Sequence, residues 1–370
     1  MPNAGPPNPP GTRSRMRELL CGLCESEEPT DPFGGHYDLC DFCRLRIVER
    51  PIRAKIDGQE YAFCSASCRD ELERTESVFT QYHGYRRTRL GIAGLDPYLP
   101  EGMPRNAFVL LSSEPGTRID AISTELLWQT LRRGEPAVAV TFTESPIGIV
   151  QRFIDLDWNV IPDLEDGSFR IVDCFTSRVG DYGRLRDRMN RWNRYLASVA
   201  DQRTTVVNDP GDPAEISNKL DNVLDDVDAM DQGIVFVDSL TEFGALVQPI
   251  QAYDFIRSIR ADVTKGRVVP IFAGATVGSE PNTFPHDLSY VLDGIIDFTL
   301  ADEIIPDTLI SRCRIRKMAG VLSITEWTAY EYTAGKGMIP FDPMAELRKH
   351  QSQPPPGPIQ SPPNPQDGHS

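Results

Sequence analysis

Three apolar runs, Phe108-Val109-Leu110-Leu111, Ala137-Val138-Ala139-Val140 and Ile234-Val235-Phe236-Val237, punctuate the middle of the chain. Each is continuous rather than alternating, which is the pattern of a strand covered on both faces of a parallel sheet. Between the first two, Ile119, Ile122, Leu126, Leu127 and Leu131 recur at helical spacing. Pro213 to Val227 predicts a further helix, with Asp212 as its N-cap and proline in the first turn. Strands and helices alternating at this length predict a doubly wound, mainly parallel α/β domain. No internal repeat interrupts the pattern.

The pattern fails at both ends. Residues 1–12 hold five prolines and residues 351–370 hold seven, with almost no apolar positions between them. Such segments bury too little to offset chain entropy, so solvated, disordered tails are expected at 1–15 and 343–370. Six of the eight cysteines fall within residues 21–68. That concentration sets off a small module over 16–76, followed by a connector at 77–88 and the α/β domain at 89–342.

Composition then bounds the class. A hydrophobic content of 40% over 370 residues excludes global disorder. The chain contains no apolar run of about 18 residues, and its start lacks a basic n-region and an apolar h-region, so a cytoplasmic protein with no membrane span is expected. Acids outnumber bases 54 to 38, a net charge of −16, which argues against sequence-independent binding to nucleic acid. Only six of the 38 basic residues are lysine. Acid excess with lysine scarcity resembles the composition of proteins from salt-accumulating halophiles, where multimolar salt shortens screening to about 3 Å; an ordinary acidic protein from a GC-rich genome is the other reading. On that reading the net charge describes the solvent more than a partner.

The cysteines run Cys21-x2-Cys24, Cys40-x2-Cys43 and Cys64-x3-Cys68. Two such pairs supply the four thiolates that tetrahedral Zn²⁺ takes, and a module this small needs a staple to fold. A reducing cytoplasm disfavours disulfides. Six ligands exceed one ion. Leu39-Cys40-Asp41-Phe42-Cys43, the stretch Ala54 to Phe63 with Asp57-Gly58 at its turn, and Cys64-Ser65-Ala66-Ser67-Cys68 together resemble the TRASH family of treble-clef zinc domains. The resemblance assigns Cys40, Cys43, Cys64 and Cys68 to one zinc and leaves Cys21 and Cys24 needing partners, with His36 nearby. A ribbon built from Cys21, Cys24, Cys40 and Cys43 is the competing arrangement. TRASH-like domains are associated with metal sensing and trafficking, whereas a closed four-Cys site leaves no coordination position for chemistry and serves as a folding staple or docking knob.

In the larger domain, Gly91-Ile92-Ala93-Gly94-Leu95-Asp96, Gly102-Met103-Pro104-Arg105-Asn106 and Ser113-Glu114-Pro115-Gly116-Thr117 resemble the opening of KaiC-like ATPases of the RecA superfamily. The likeness continues through Thr143-Glu144-Ser145-Pro146 and Asp157-Trp158 to Val235-Phe236-Val237-Asp238, which resembles a Walker B strand. It ends at Arg316-Lys317-Met318-Ala319-Gly320. The resemblance implies a RecA-like P-loop NTPase fold, with nucleotide held by the loop Glu114, Pro115, Gly116, Thr117 and Arg118. It also gives Glu144, Asp238 and Lys317 as residual catalytic positions, and homo-oligomerisation.

That loop departs from Gly-x4-Gly-Lys-[Ser/Thr], whose backbone N–H groups cradle phosphates while the Lys neutralises them and the hydroxyl binds Mg²⁺. Ser113 replaces the first Gly, Arg118 the second, Ile119 the Lys and Asp120 the hydroxyl residue. Losing one charge-assisted bond costs roughly 1.5–3 kcal/mol, and a carboxylate about 4 Å from a phosphate charge adds about 4 kcal/mol at an effective dielectric of 20. Together these remove roughly four to five decades of affinity. One of the family's paired acids after the second strand is Thr143, and its interface Lys-x-Arg reads Lys317 and Ala319. ATP and Mg²⁺ are therefore not expected to be held tightly.

The reading that follows is a non-hydrolysing regulatory or scaffold protein with a structural zinc and a protein partner; nucleic acid is not indicated. A weakly active ATPase, with Arg118 as substitute cation and Asp120 on Mg²⁺, is the alternative. A zinc-dependent transcriptional or metal-responsive regulator is a third. Asp238 has a second reading, as a hydrogen-bonding group that ends a buried strand. Cys174 and Cys313 are expected in the core.

Overall fold

The computed structural model describes residues 40–42, 47, 50–56, 59–74, 87–100, 102–179, 194–277, 284–285, 288–305, 308–345 and 348. The chain divides into two units, 1–86 and 87–370. The expected tails at 1–15 and at most of 343–370, Cys21, Cys24 and Cys43, and the Asp57-Gly58 turn lie outside the described residues.

In the smaller unit, strands β1 (Ile52–Ile56) and β2 (Gln59–Phe63) pair antiparallel from Ile52↔Phe63 to Ile56↔Gln59. Helix α1 (Ala66–Arg74) follows, and the Ser65 hydroxyl accepts from the Cys68 N–H as an N-cap does. Phe63 and Cys40 are fully buried in a small core with Ile47 and Ala62.

The larger unit is built on a ten-stranded sheet. Two short strands, β3 (Arg87–Thr88) and β4 (Met103–Pro104), pair beside it. The sheet contains β5 (Phe108–Ser113), β6 (Ala137–Thr141), β7 (Phe169–Asp173), β8 (Thr204–Val206), β9 (Ile234–Val237), β10 (Ile271–Thr276), β11 (Gly294–Ile305), β12 (Thr308–Met318), β13 (Thr328–Thr333) and β14 (Gly337–Phe341). Its order is β14-β13-β12-β11-β5-β10-β9-β6-β7-β8. β11 to β8 run parallel, while β12, β13 and β14 add an antiparallel wing. The three apolar runs of the sequence are β5, β6 and β9, and every residue of these strands is buried.

Helices cover both faces, as continuous apolar strands require. On one face, α2 (Ile119–Arg132), α3 (Pro146–Asp155), α4 (Ile161–Asp166) and α5 (Arg194–Gln202) bury Leu126, Ile149, Phe153, Leu164 and Leu196. On the other, α6 (Pro213–Asp226), α7 (Leu240–Leu246) and α8 (Pro249–Ile259) bury Leu220, Phe243 and Phe255. Asp212 caps α6 by accepting from the Ala214 N–H. Cys174 and Cys313 are buried in these cores. Burial pushes the Cys313 thiol up to about 12, so it is an inert packing group. Among the described residues no helix is long and apolar enough to cross a membrane.

Candidate functional site

The carboxyl ends of β5, β6 and β9 meet at one edge of the sheet, where parallel α/β domains place ligands. β5 leads into Glu114-Pro115-Gly116-Thr117 and then α2. Gly116 takes φ +95°, which a side chain would strain. Thr117 is fully buried, and its N–H and hydroxyl both donate to the Glu114 carbonyl. Arg118, in the place of the second glycine, is left-handed at φ 57°, ψ 36°, at the N-cap of α2. That conformation costs a residue with a β-carbon roughly 1–2 kcal/mol.

Two neighbours hold this loop. On one side the Glu114 N–H donates to the Phe298 carbonyl (3.0 Å), and the Leu300 N–H donates back to Glu114 Oε2 (3.0 Å). The Glu114 side chain thereby continues the β5–β11 ladder past the last backbone pair, Ser113↔Phe298. On the other side, the Tyr330 hydroxyl donates to the Thr117 carbonyl (2.7 Å) and the Tyr332 hydroxyl to the Ala121 carbonyl (3.0 Å). The Arg118 guanidinium lies 5.9 Å from the centre of the Tyr332 ring. Ile119, in the lysine position, packs against the core.

Asp238 directly follows β9, and its carboxylate accepts three bonds from the loop after β6. The donors are the Phe142 N–H (2.8 Å) and the Thr143 N–H (2.9 Å) and hydroxyl (2.6 Å); the Thr141 hydroxyl, 2.9 Å away, has its one proton shared with the Glu144 carbonyl at 2.7 Å. Thr143, where a second acid would stand, is one of the residues that hold Asp238.

Glu144 pairs with Arg152 of α3 at 2.6 Å. Burial pushes its carboxyl above the ordinary value; Arg152 pulls the other way, and the nearby Asp238 and Asp120 raise it further. Arg152 also reaches the Asp120 carbonyl, at 3.5 Å. Asp120, Glu144 and Asp238 thus share one electrostatic neighbourhood, with Arg152 as the cation in it. The sequence gives no motif for Arg152. Lys317 lies apart: its ammonium donates to the Ser289 (3.0 Å) and Leu292 (2.7 Å) carbonyls of its own chain.

A further buried acid sits on α2. Glu125 is 1% exposed and accepts from the Met338 N–H at 2.9 Å. Gly337 before it has φ +80°, and any β-carbon there would fall on the Glu125 carboxylate. Burial pushes this carboxyl up to about 7, against hydrogen bonds from Met338, Tyr332 and Gln129, with Asp96 adding to the rise. A Glu interrupting the apolar stripe between Ile122 and Leu126 was the signal in the sequence.

The family model of the KaiC ATPase matches residues 88–339, the strands, loop and acids just described. The chain belongs to the KaiC family. A UPF0273 protein of Thermotoga maritima is 28% identical over 219 residues, 59% of this chain and 81% of its own. One from Pyrococcus horikoshii is 30% identical over 59% of this chain and 80% of its own, and one from Aeropyrum pernix 29% identical over 69% and 93%. The crystal structure of a KaiC-like protein from Pyrococcus horikoshii superposes with a TM-score of 0.51 at 16% identity, covering 70% of this chain and 99% of that one. That likeness shows the fold.

KaiC family membership raises the question whether this loop fits Mg²⁺–ATP. It fits poorly: the lysine position is a packed Ile119, the Mg²⁺ hydroxyl is replaced by Asp120, and Asp238 already accepts three bonds from the loop after β6. In the smaller unit the donor set does suit a soft metal. The Sγ atoms of Cys40, Cys64 and Cys68 lie within 4.8 Å of one another, with Cys64 and Cys68 3.5 Å apart. Asp41 ties the Cys40 turn to β2, its N–H donating to the Ala62 carbonyl and its carboxylate accepting from the Ala62 N–H.

Proposed function

We propose that this chain is a non-hydrolysing member of the KaiC family that works as a regulatory or scaffold protein. The observation that carries the reading is the neighbourhood of the altered loop. Where a nucleotide would need a lysine and a free Walker B carboxylate, there is a packed Ile119, an Asp120 beside Glu144, and an Asp238 held by three donors of the loop after β6. Arg152 supplies a cation from within the chain and pairs with Glu144, so one of the three acids is answered without Mg²⁺. The loop itself is pinned by Leu300, Tyr330 and Tyr332 and is part of the packed structure.

The smaller unit is proposed to bind one zinc through Cys40, Cys64 and Cys68, with Cys43 as the fourth ligand that its Cys-x2-Cys spacing provides. When bound, the zinc would supply folding energy to a core of few residues. A protein partner follows from a scaffold role.

Titration calorimetry of the full chain with ATP and Mg²⁺ in high KCl tests the first proposal. No heat and no phosphate release are expected. Micromolar binding with phosphate release would sink it in favour of a working ATPase.

A further inference from the structure

β13 brings two tyrosines against the altered loop and the start of α2, and one of their hydroxyls stands between two acceptors. Tyr330 donates to the Thr117 carbonyl at 2.7 Å. Tyr332 donates to the Ala121 carbonyl at 3.0 Å and also lies within hydrogen-bonding reach of the Glu125 carboxyl, one helical turn further along α2. A phenol has one proton to give, so Tyr332 serves one of these acceptors at a time.

The surroundings of Glu125 make that choice depend on its charge. The side chain is buried, Oε2 accepts from the Met338 N–H at 2.9 Å, and Gly337 makes room for the carboxyl by having no β-carbon. Gln129, on the next turn of α2, is a further hydrogen-bonding neighbour. The charged groups that face the pair are Asp96, from the short turn Asp96–Tyr98, and Arg118 and Asp120 of the loop beside the Tyr332 ring; Lys336, on the β13–β14 turn, is exposed. Burial raises the Asp96 carboxyl, and the Leu90 and Gly91 N–H groups (2.8 and 2.9 Å), then Arg89 and Arg133, pull it back. Glu125 has one backbone donor where Asp96 has two, so of the two acids Glu125 takes up the proton.

We propose that Glu125 and Tyr332 form a proton relay that sets how firmly β13 holds the altered loop. With Glu125 protonated, its O–H donates to the Tyr332 oxygen and Tyr332 donates onward to the Ala121 carbonyl, each bond polarising the next. When Glu125 gives its proton to solvent, the carboxylate only accepts. The Tyr332 hydroxyl then turns to it, in a charge-assisted bond about twice as strong as the neutral one it leaves. Tyr332 keeps its own proton throughout, because burial and the adjacent Glu125 charge push its hydroxyl above the ordinary value. The loop retains the Tyr330 bond and loses that of Tyr332.

The test reads the Ala121 carbonyl directly in the full chain without nucleotide. Ala121-Ile122 is the one Ala-Ile step in the sequence, so ¹³C-carbonyl alanine with ¹⁵N isoleucine labels a single peptide group. In the parent its ¹³C signal is expected to move upfield, as a carbonyl losing a hydrogen bond does, when pH rises through about 7, where burial places the Glu125 carboxyl. It should stay flat in Glu125→Gln, and flat at the upfield position in Tyr332→Phe. Tyr332→Phe still titrates Glu125, so a mere effect of the charge, or a weakening of the whole domain, would persist there. Amide exchange across 114–121, corrected for intrinsic rate, should be about fivefold faster above the transition in the parent alone. A parent signal that is flat or moves downfield, a step that survives in either variant, or loop exchange that does not change overturns the proposal. Should Tyr332→Phe not fold, the direction of the parent shift and its absence in Glu125→Gln decide. None of these outcomes depends on whether the domain binds ATP.

Discussion

Glu125→Gln isolates the energetics of the buried acid between α2 and β14. Glu125 has an ordinary carboxyl value of 4.5 and is pushed up to about 7 in the folded chain, chiefly by burial. A raised carboxyl favours folding while it is protonated. Its contribution is fully present below the unfolded value of 4.5 and is lost as pH rises through about 7. The shift of about 2.5 units corresponds to about 3 kcal/mol between the protonated and ionised limits. Glutamine mimics the protonated acid and keeps an acceptor for the Met338 N–H, so it does not titrate. The assay is urea unfolding followed by tryptophan fluorescence, which reports the larger unit because Trp128, Trp158, Trp192 and Trp327 all follow residue 86. Parent and variant should be close in stability near pH 4.5. By pH 8 the variant should be more stable by about 3 kcal/mol, with most of the divergence between pH 5 and 7.5. A stability difference that stays constant across this range would refute the reasoning, since it would mean that Glu125 does not change its charge on folding where the geometry requires it to.

Restoring the loop by Arg118→Gly, Ile119→Lys and Asp120→Thr together should tighten Mg²⁺–ATP binding by about four decades, read by calorimetry. No gain would show that Leu300, Tyr330 and Tyr332, not the altered residues, keep nucleotide out. Metal analysis of Cys40→Ser should find one zinc fewer per chain than in the parent, and an unchanged zinc content would remove Cys40 from the ligand set.

Much of the fold was legible because its signals are local. Phe108–Leu111, Ala137–Val140 and Ile234–Val237 are unbroken apolar runs, and unbroken runs bury on both faces wherever they sit. Asp212 caps α6 because a short acceptor before a proline-led helix satisfies an orphan N–H regardless of the rest of the molecule. The loss of Lys at Ile119 was equally plain, because a phosphate-binding loop is a contiguous stretch of backbone. The candidate site was legible only in part. Glu144 and Asp238 were named from the resemblance to KaiC-like ATPases, but what holds them was not.

The sequence by itself determined the α/β architecture, the altered loop and the cysteine spacing, since each depends on residues close together in the chain. Tertiary structure alone decided how the charges are used. Asp238 is held by Phe142 and Thr143, nearly a hundred positions away. Glu144 is answered by Arg152 across a strand-to-helix turn, Glu125 lies under Gly337, and Lys317 is turned onto its own chain. Ionic and hydrogen-bond partners are chosen by proximity in a low-dielectric interior, and proximity is fixed by sheet order rather than by sequence separation.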